Sequence, residues 1–236
     1  MEPLVTVDIH RAGYEKGITS IQDVQFSIRP GDLIGLIGPN GAGKSTAMKA
    51  MLGVMPFSKG NITFQKGCSY VYIPERPVFY HELTMEEHLR FAAASFNIDE
   101  QEAEKRARLL LKEFNMEDAL KKLPRTFSKG MQQKMLLILA FLVKPSLFII
   151  DEPFIGLDPN AMKTFLQKIT DARAQGAGIL MSTHVLDTAE RTCDRFLLMS
   201  GGTLIGGGTF KEIKAQCNLS EGTLFDCFHS VMGAGR

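Results

Sequence analysis

The segment that most constrains this chain is Gly38–Ser45, which reads G-P-N-G-A-G-K-S and fits the phosphate-loop pattern G-x-x-x-x-G-K-S. A buried-strand pattern, Leu33–Ile37, precedes it, and apolar residues at helical spacing follow it from Ala47. In this order of elements the loop turns its backbone N–H groups toward phosphate oxygens, and the helix adds the positive end of its dipole. The sequence therefore predicts a nucleoside triphosphate site at this loop.

Two side chains of the loop have separate expected roles. Lys44 is expected to reach the β and γ phosphates, and Ser45 to ligate Mg²⁺, which bridges phosphate oxygens. The alternative is a turn that holds these residues by coincidence, and the flanking strand and helix disfavour it. The residues expected to contact the nucleotide here are Gly38, Pro39, Asn40, Gly41, Ala42, Gly43, Lys44, Ser45 and Thr46.

Two adjacent acids follow a second buried-strand pattern. Leu147–Ile150 runs directly into Asp151 and Glu152, so both acids lie at the carboxyl end of a strand, where open α/β sheets bind ligands. We expect Asp151 to hold Mg²⁺, partly through water, and Glu152 to act as the base for the attacking water. Capping or solvation is the alternative explanation of acids at a strand end.

The remaining patterns predict one α/β domain with two additions. Leu4–Ile9 and Val24–Ile28 have β patterns and indicate a small antiparallel sheet. Residues from about 76 to 134 have helical patterns and predict a helical lobe. A further strand pattern, Gly178–Ser182, precedes a helical pattern, which is typical of a parallel sheet. The glycine-rich segment 201–208 predicts a late hairpin.

Composition excludes some classes of function. The 27 basic and 26 acidic side chains give a net charge of +1, so nucleic acid is not expected as a ligand. The four cysteines lack paired spacing, which favours a reducing cytosol over a disulfide-bonded secreted protein. The longest apolar run, Met135–Val143, is far shorter than the roughly 20 residues that a membrane-spanning helix needs.

Three further motifs resemble those of the ATP-binding subunits of ABC transporters. F-S-K-G-M-Q-Q at 127–133 resembles the signature L-S-G-G-Q, G-L-D at 156–158 resembles the D-loop, and S-T-H at 182–184 resembles the H-loop. They occur in the family's order, whereas the phosphate loop and the acids alone leave kinases, helicases and GTPases open. The resemblance covers roughly residues 4–214. The stretches YIPERPVFYHELT, FSKGM, IIDEPF and STHVLDTAE are most similar to the bacterial EcsA type.

The resemblance implies a fold and a division of the chain. The implied fold is an α/β P-loop NTPase with a RecA-like parallel-sheet core, a small antiparallel β subdomain and a helical subdomain. The ABC ATPase domain is predicted at 1–214, with the core and β part at 1–75 and 135–214 and the helical subdomain at 76–134. A C-terminal tail is predicted at 215–236. ATP and Mg²⁺ are the implied cofactors.

The resemblance also implies a site shared by two subunits. They close head to tail, so that Ser128 and Gly130 of one subunit complete the ATP site of the other, with Asp158 beside it. It further implies that His184 contacts the γ-phosphate and that Tyr14 stacks on adenine. Simpler explanations stay open. Ser and Asp are favoured N-cap residues, so Ser128 and Asp158 can act as helix caps. A histidine at a strand end is usually a packed or capping residue, and Tyr14 can pack as an ordinary loop residue.

Some positions depart from the family's pattern. Glu75 stands where glutamine is common, and a carboxylate there can hold Mg²⁺ or its water but cannot donate a hydrogen bond. Lys129 and Met131 replace a glycine and the glutamine of the signature, and Ile155 replaces a common serine. A side-chain amide contact from position 131 across the dimer is therefore not expected.

The implied function is ATP hydrolysis that powers an exporter-like bacterial ABC transporter. The expected partners are a second copy or a homologous ABC subunit and a separate integral membrane subunit, with the chain peripheral on the cytoplasmic face of the membrane and soluble when isolated. The alternative is a soluble ABC ATPase that acts on a cytosolic scaffold. Residues 77–80 and Leu83 form an apolar run that predicts a docking surface, unless they fill the helical lobe.

Overall fold

The computed structural model describes residues 2–217, 219 and 221–234. The strands are β1 (Val5–Gly13), β2 (Ile21–Ile28), β3 (Leu33–Ile37), β4 (Phe57–Phe64), β5 (Tyr70–Ile73), β6 (Leu147–Asp151), β7 (Gly178–Thr183), β8 (Arg195–Ser200) and β9 (Thr203–Thr209). The α-helices are α1 (Lys44–Met51), α2 (Met85–Ser95), α3 (Glu100–Glu113), α4 (Lys129–Val143), α5 (Pro159–Ala174), α6 (Leu186–Thr192), α7 (Phe210–Gln216) and α8 (Leu224–Ala234). None of the helices in these ranges is both long and apolar enough to cross a bilayer.

The central sheet has the strand order β5-β6-β7-β3-β8-β9, in which β9 alone runs antiparallel to its neighbour. Strands β3, β6 and β7 are buried along their whole length, which explains their continuous runs of apolar residues. Their carboxyl ends meet at one edge, where Ile37 pairs with Thr183 and Asp151 pairs with Ser182. The segments that follow these three strands therefore lie side by side.

A second sheet, of order β2-β1-β4, is antiparallel, as the sequence predicts. Strand β1 extends beyond the predicted Ile9 to Gly13, with a register shift between Ile9 and Arg11. Its alternate side chains Val5, Val7 and Ile9 are buried. The longer strand carries Tyr14, the next residue, toward the phosphate loop.

The helical lobe contains α2, α3 and the start of α4. Thr84 and Glu87 form the predicted capping box at the start of α2. Helix α4 begins in the lobe and continues without a break to Val143, directly before β6, so it crosses the predicted boundary between residues 134 and 135. The division into subdomains stays a prediction, and one continuous helix joins two of the proposed parts.

The C-terminal segment predicted as a tail contains the end of α7 and the helix α8. Leu224 and Cys227 of α8 are fully buried, and Glu190 of α6 accepts a hydrogen bond from the Leu224 backbone N–H at 2.7 Å. Residues 218, 220, 235 and 236 of this segment lie outside the described residues. The predicted late hairpin is confirmed, because β8 and β9 pair antiparallel around Gly201 and Gly202.

Candidate nucleotide site

The phosphate loop joins β3 to α1 and is closed by its own lysine. Lys44 is buried, and its Nζ donates hydrogen bonds to the carbonyl oxygens of Gly38 at 2.7 Å and Pro39 at 3.3 Å. Gly43 has φ of 104°, and a Cβ there would lie 2.6 Å from Ile21 Cγ2. Only glycine fits this backbone and this close approach. The buried positive charge of Lys44 thus lies inside the loop.

A chain of polar contacts links Lys44, the predicted base Glu152 and His184. Lys44 Nζ lies 3.4 Å from Glu152 Oε1, and Glu152 Oε2 lies 2.9 Å from His184 Nδ1. Glu152 is buried, whereas the His184 side chain is about half exposed. Among the described residues Glu152 Oε1 accepts no hydrogen bond, and its contact with Lys44 is an ion pair. This oxygen is therefore a free acceptor inside the site.

Asp151 lies behind Glu152 and is held at both of its oxygens. Ser182 Oγ donates to Asp151 Oδ1 at 2.5 Å, and the Tyr72 hydroxyl donates to Oδ2 at 3.4 Å. Burial, and then the charge of Asp151, raise the pKa of Tyr72 far above its usual range, so Tyr72 stays protonated and remains a donor. Both contacts come from the strands that flank β6 in the sheet, Tyr72 from β5 and Ser182 from β7.

A cleft of about 450 Å³ collects most of the predicted site in one place. Its lining includes Tyr14, Pro39, Asn40, Gly41, Ala42, Gly43, Lys44, Ser45, Thr46, Glu75, Glu152 and His184. The ring of Tyr14 is half exposed at the mouth of the cleft, 5.7 Å from Lys49 Nζ. Gly38 and Asp151 lie directly behind this lining, bonded to Lys44 and Ser182 respectively.

Sequence reasoning did not assign three residues that the structure places at the site. Ser20 and Ile155 line the cleft, and Tyr72 reaches Asp151 from β5. The signal for Tyr72 is its position three residues before Glu75 in a strand-like run, but the sequence does not tell which strand lies beside β6. Ser20 has no distinctive pattern around it.

Ser128, Gly130 and Asp158 lie outside the lining of their own chain's cleft. Ser128 caps α4 by accepting the Met131 N–H at 3.3 Å, and Asp158 caps α5 by accepting the Ala161 N–H at 2.9 Å. Both simpler explanations by capping are thus confirmed. A hydrogen bond from Lys134 at 2.7 Å, and then the cap, hold the pKa of Asp158 below its usual range. The roles of all three residues toward a second subunit stay predictions.

The oxygen ligands predicted for Mg²⁺ fit that ion only together with a nucleotide. Within the described part of the chain, no cluster of three or more His, Cys, Asp or Glu side chains could hold a metal ion. Ser45 and Glu75 line the cleft, with Asp151 behind them. Mg²⁺ prefers oxygen ligands, and proteins usually supply only some of them. One hydroxyl and two carboxylates fit this pattern, in which phosphates and water fill the other coordination positions.

A phosphate loop between a parallel strand and a helix, with an acid pair at the end of a strand of the same sheet, defines a P-loop NTPase. The sequence model of the ABC transporter family matches residues 21–155. The ABC transporter ATP-binding protein YthP of Bacillus subtilis (strain 168) is 48% identical over 236 residues, which is 100% of both chains. EcsA of the same organism, an ABC-type transporter ATP-binding protein, is 42% identical over 235 residues and 95% of each chain.

A solved structure agrees with the sequence comparison. An ATP-binding subunit of an ABC transporter superposes with a TM-score of 0.91 at 41% identity, covering 97% of this chain and 99% of the other. The chain belongs to the ABC transporter family, as an ATP-binding subunit with ATPase activity. The predicted fold class and the resemblance to the EcsA type are confirmed.

Proposed function

We propose that this chain binds ATP with Mg²⁺ between two ABC subunits and uses hydrolysis to drive an exporter-like bacterial transporter. The second subunit is another copy of the chain or a homologue. The moving part is a separate integral membrane protein, against which this chain lies on the cytoplasmic face of the membrane. The alternative partner is a cytosolic scaffold moved by the same ATPase.

The geometry of the cleft supports the assignment of chemical roles. Lys44 and the loop N–H groups bind the phosphates, and Tyr14 at the mouth of the cleft stacks on the base. Ser45, Glu75 and Asp151 would hold Mg²⁺, which would neutralise phosphate charge. Glu152 accepts the proton of the attacking water at its free Oε1, and His184 holds the other carboxylate oxygen in place.

The position of the signature residues supports a site shared across a dimer. Ser128 and Asp158 begin α4 and α5, so each presents a helix N-terminus, which favours contact with phosphate. A Cβ at Gly130 would lie 2.8 Å from the Gly156 carbonyl oxygen, so the signature packs directly on the D-loop. These residues lie outside the cleft of their own chain, so we assign them to the ATP site of a second subunit.

The observation that supports a membrane partner is an exposed aromatic patch, which consists of Val78, Tyr80 and Phe91. Their exposed fractions are 81%, 58% and 53%. The Tyr80 ring packs edge-on against Phe91, with centroids 5.6 Å apart. Tyr80 and Phe91 contact each other and Val78 is two residues from Tyr80, so these are not scattered single side chains, and exposed apolar patches mark interaction sites.

His88 holds the aromatic patch rigidly. His88 Nδ1 lies 2.8 Å from the Thr84 carbonyl oxygen and must donate, so Nε2 is the acceptor for the Tyr80 N–H at 3.1 Å. Phe79 packs edge-on against this ring, with centroids 5.7 Å apart, and against the hydrophobic core. The predicted docking run therefore divides: Phe79 is partly buried against the core, and Val78 and Tyr80 face solvent.

The aromatic patch is also close in sequence to the nucleotide. Glu75 lines the cleft, and Val78 follows it after only two residues. So short a connection lets a displacement of Glu75, on binding or loss of the γ-phosphate, reach a partner seated on the patch. This is the coupling that a transporter requires.

The double variant Val78→Asp with Tyr80→Asp should release the chain from membranes that contain its partner. Burial of the two side chains at an interface is worth on the order of 1.5–3 kcal/mol each, and a carboxylate there adds a desolvation cost. Thermal stability and basal ATPase should stay at wild-type values, because both side chains are exposed. The measurement is co-sedimentation with membranes that contain the integral membrane partner.

The matched control is Val54→Asp with Leu109→Asp, two apolar side chains of similar exposure outside the patch. The control should still sediment. If the patch variant folds and sediments equally well, docking lies elsewhere. If the neighbouring gene encodes no protein with several apolar stretches of about 20 residues, the cytosolic scaffold becomes the favoured partner.

A further inference from the structure

Ser182 occupies a central position between the two acids of the site. It is the penultimate residue of β7, is fully buried, and pairs with Asp151 in the parallel register. Its Oγ donates to Asp151 Oδ1 at 2.5 Å and accepts the backbone N–H of Glu152 at 3.0 Å. One hydroxyl therefore contacts two consecutive residues that have different expected roles.

The directions of these hydrogen bonds are fixed by chemistry. A carboxylate can only accept, so the single hydroxyl hydrogen points to Asp151, and an oxygen lone pair remains for the Glu152 N–H. Strand β6 ends at Asp151, and Glu152 turns into the left-handed region with φ of 49°. That turn takes the Glu152 N–H out of the strand ladder, and Ser182 provides the acceptor that the buried group needs.

Tyr72 holds Asp151 less closely. Its hydroxyl lies 3.4 Å from Oδ2, compared with 2.5 Å between Ser182 Oγ and Oδ1. Tyr72 also makes no contact with the Glu152 backbone among the described hydrogen bonds. Within the described part of the chain, the serine thus makes the shorter bond and is the only side chain that hydrogen-bonds both the Asp151 carboxylate and the Glu152 backbone.

We propose that Ser182 is a positioning residue for ATP hydrolysis, which sets the orientation of the Asp151 carboxylate and the backbone angle of Glu152 together. The proposal rests on the roles given above to Asp151 for Mg²⁺ and to Glu152 for the attacking water. Its consequence is specific: loss of the hydroxyl disturbs the response to Mg²⁺ and the chemical step, and leaves the phosphate loop unchanged.

The test is Ser182→Ala, compared with Ser146→Ala as a control. Ser146 precedes the other end of β6, where its hydroxyl contacts Ser69 Oγ at 3.3 Å. For Ser182→Ala we expect kcat to fall about 10–100-fold and the Mg²⁺ concentration for half-maximal activity to rise by a similar factor, the range typical of a lost partner of a metal ligand. KM for ATP and the affinity for a fluorescent ATP analogue in EDTA should not change. Ser146→Ala should match the wild type in all four quantities.

Ser182→Thr, which keeps the hydroxyl, should restore most of the Mg²⁺ response. A structural role alone predicts a different pattern, in which Ser182→Ala loses thermal stability and analogue binding in EDTA to the same extent as activity. That pattern, or a Ser182→Ala variant as active as Ser146→Ala, overturns the proposal. Glu152→Gln is assayed in parallel: if it remains active, the assignment of the base has failed, and if it is inactive while Ser182→Ala is normal, only the role of Ser182 has failed.

Discussion

Replacement of Glu152 by glutamine is expected to lower ATP turnover on the order of 10²–10⁴-fold, the usual contribution of a general base. Glutamine has the same shape and can still contact His184, but it cannot accept the proton of water. Lys44 keeps its bonds to the carbonyl oxygens of Gly38 and Pro39, so the phosphate loop should keep its conformation. ATP binding should persist, and ATP-bound dimers should accumulate because they no longer hydrolyse their nucleotide.

Steady-state ATPase assays and gel filtration with ATP measure both effects. The control is Glu113→Gln, which makes the same change of acid to amide at a residue of the lobe helix α3. Glu113 pairs with Lys168 of α5 at 2.7 Å and lies outside the lining of the cleft. It should retain turnover. A Glu152→Gln protein that stays monomeric with ATP and hydrolyses it at the wild-type rate would contradict both the base and the dimer.

Mixing Lys44→Ala subunits with Ser128→Arg subunits should restore ATPase activity that neither variant has alone. In a mixed dimer, one composite site takes both lesions and the other keeps a native Lys44 and a native Ser128. With random pairing half of the dimers are mixed and each has one intact site, so recovery is expected to reach at most about a quarter of wild-type activity. The measurement is ATPase activity at a fixed total concentration of subunits.

The loss of the Ser128 cap needs its own control. Replacing an N-cap costs roughly 0.5–2 kcal/mol, and Ser128→Thr keeps an oxygen for the Met131 N–H while adding only a methyl group. Ser128→Thr should remain folded and substantially active. If differently tagged variants are shown to form mixed dimers and the mixture stays inactive, the two subunits do not share their sites.

Local chemistry made much of the site predictable from the sequence. The phosphate loop depends on glycines, one lysine and one serine in consecutive positions, and its flanking strand and helix have strong patterns of their own. Asp151 and Glu152 were predictable because a fully buried strand that ends in two acids is a local signal. The capping box at Thr84 and Glu87 is equally local, because its two hydrogen bonds join residues three apart.

Other features depended on which distant segments lie side by side. The strand order places β7 between β6 and β3, and this brings Ser182 to Asp151 although 31 positions separate them. No pattern in the sequence specifies that neighbour, because a buried parallel strand has the same apolar run wherever it lies in the sheet.

The apolar run after Glu75 shows the same limit for single side chains. The sequence determined that a short segment contains Val78, Phe79 and Tyr80, and it left both docking and packing open. The tertiary structure decided between them residue by residue: Phe79 packs against His88 and the lobe, whereas Val78 and Tyr80 face solvent. An irregular segment has no period that assigns its side chains to a face, so only the helix packed against it fixes which of them are buried.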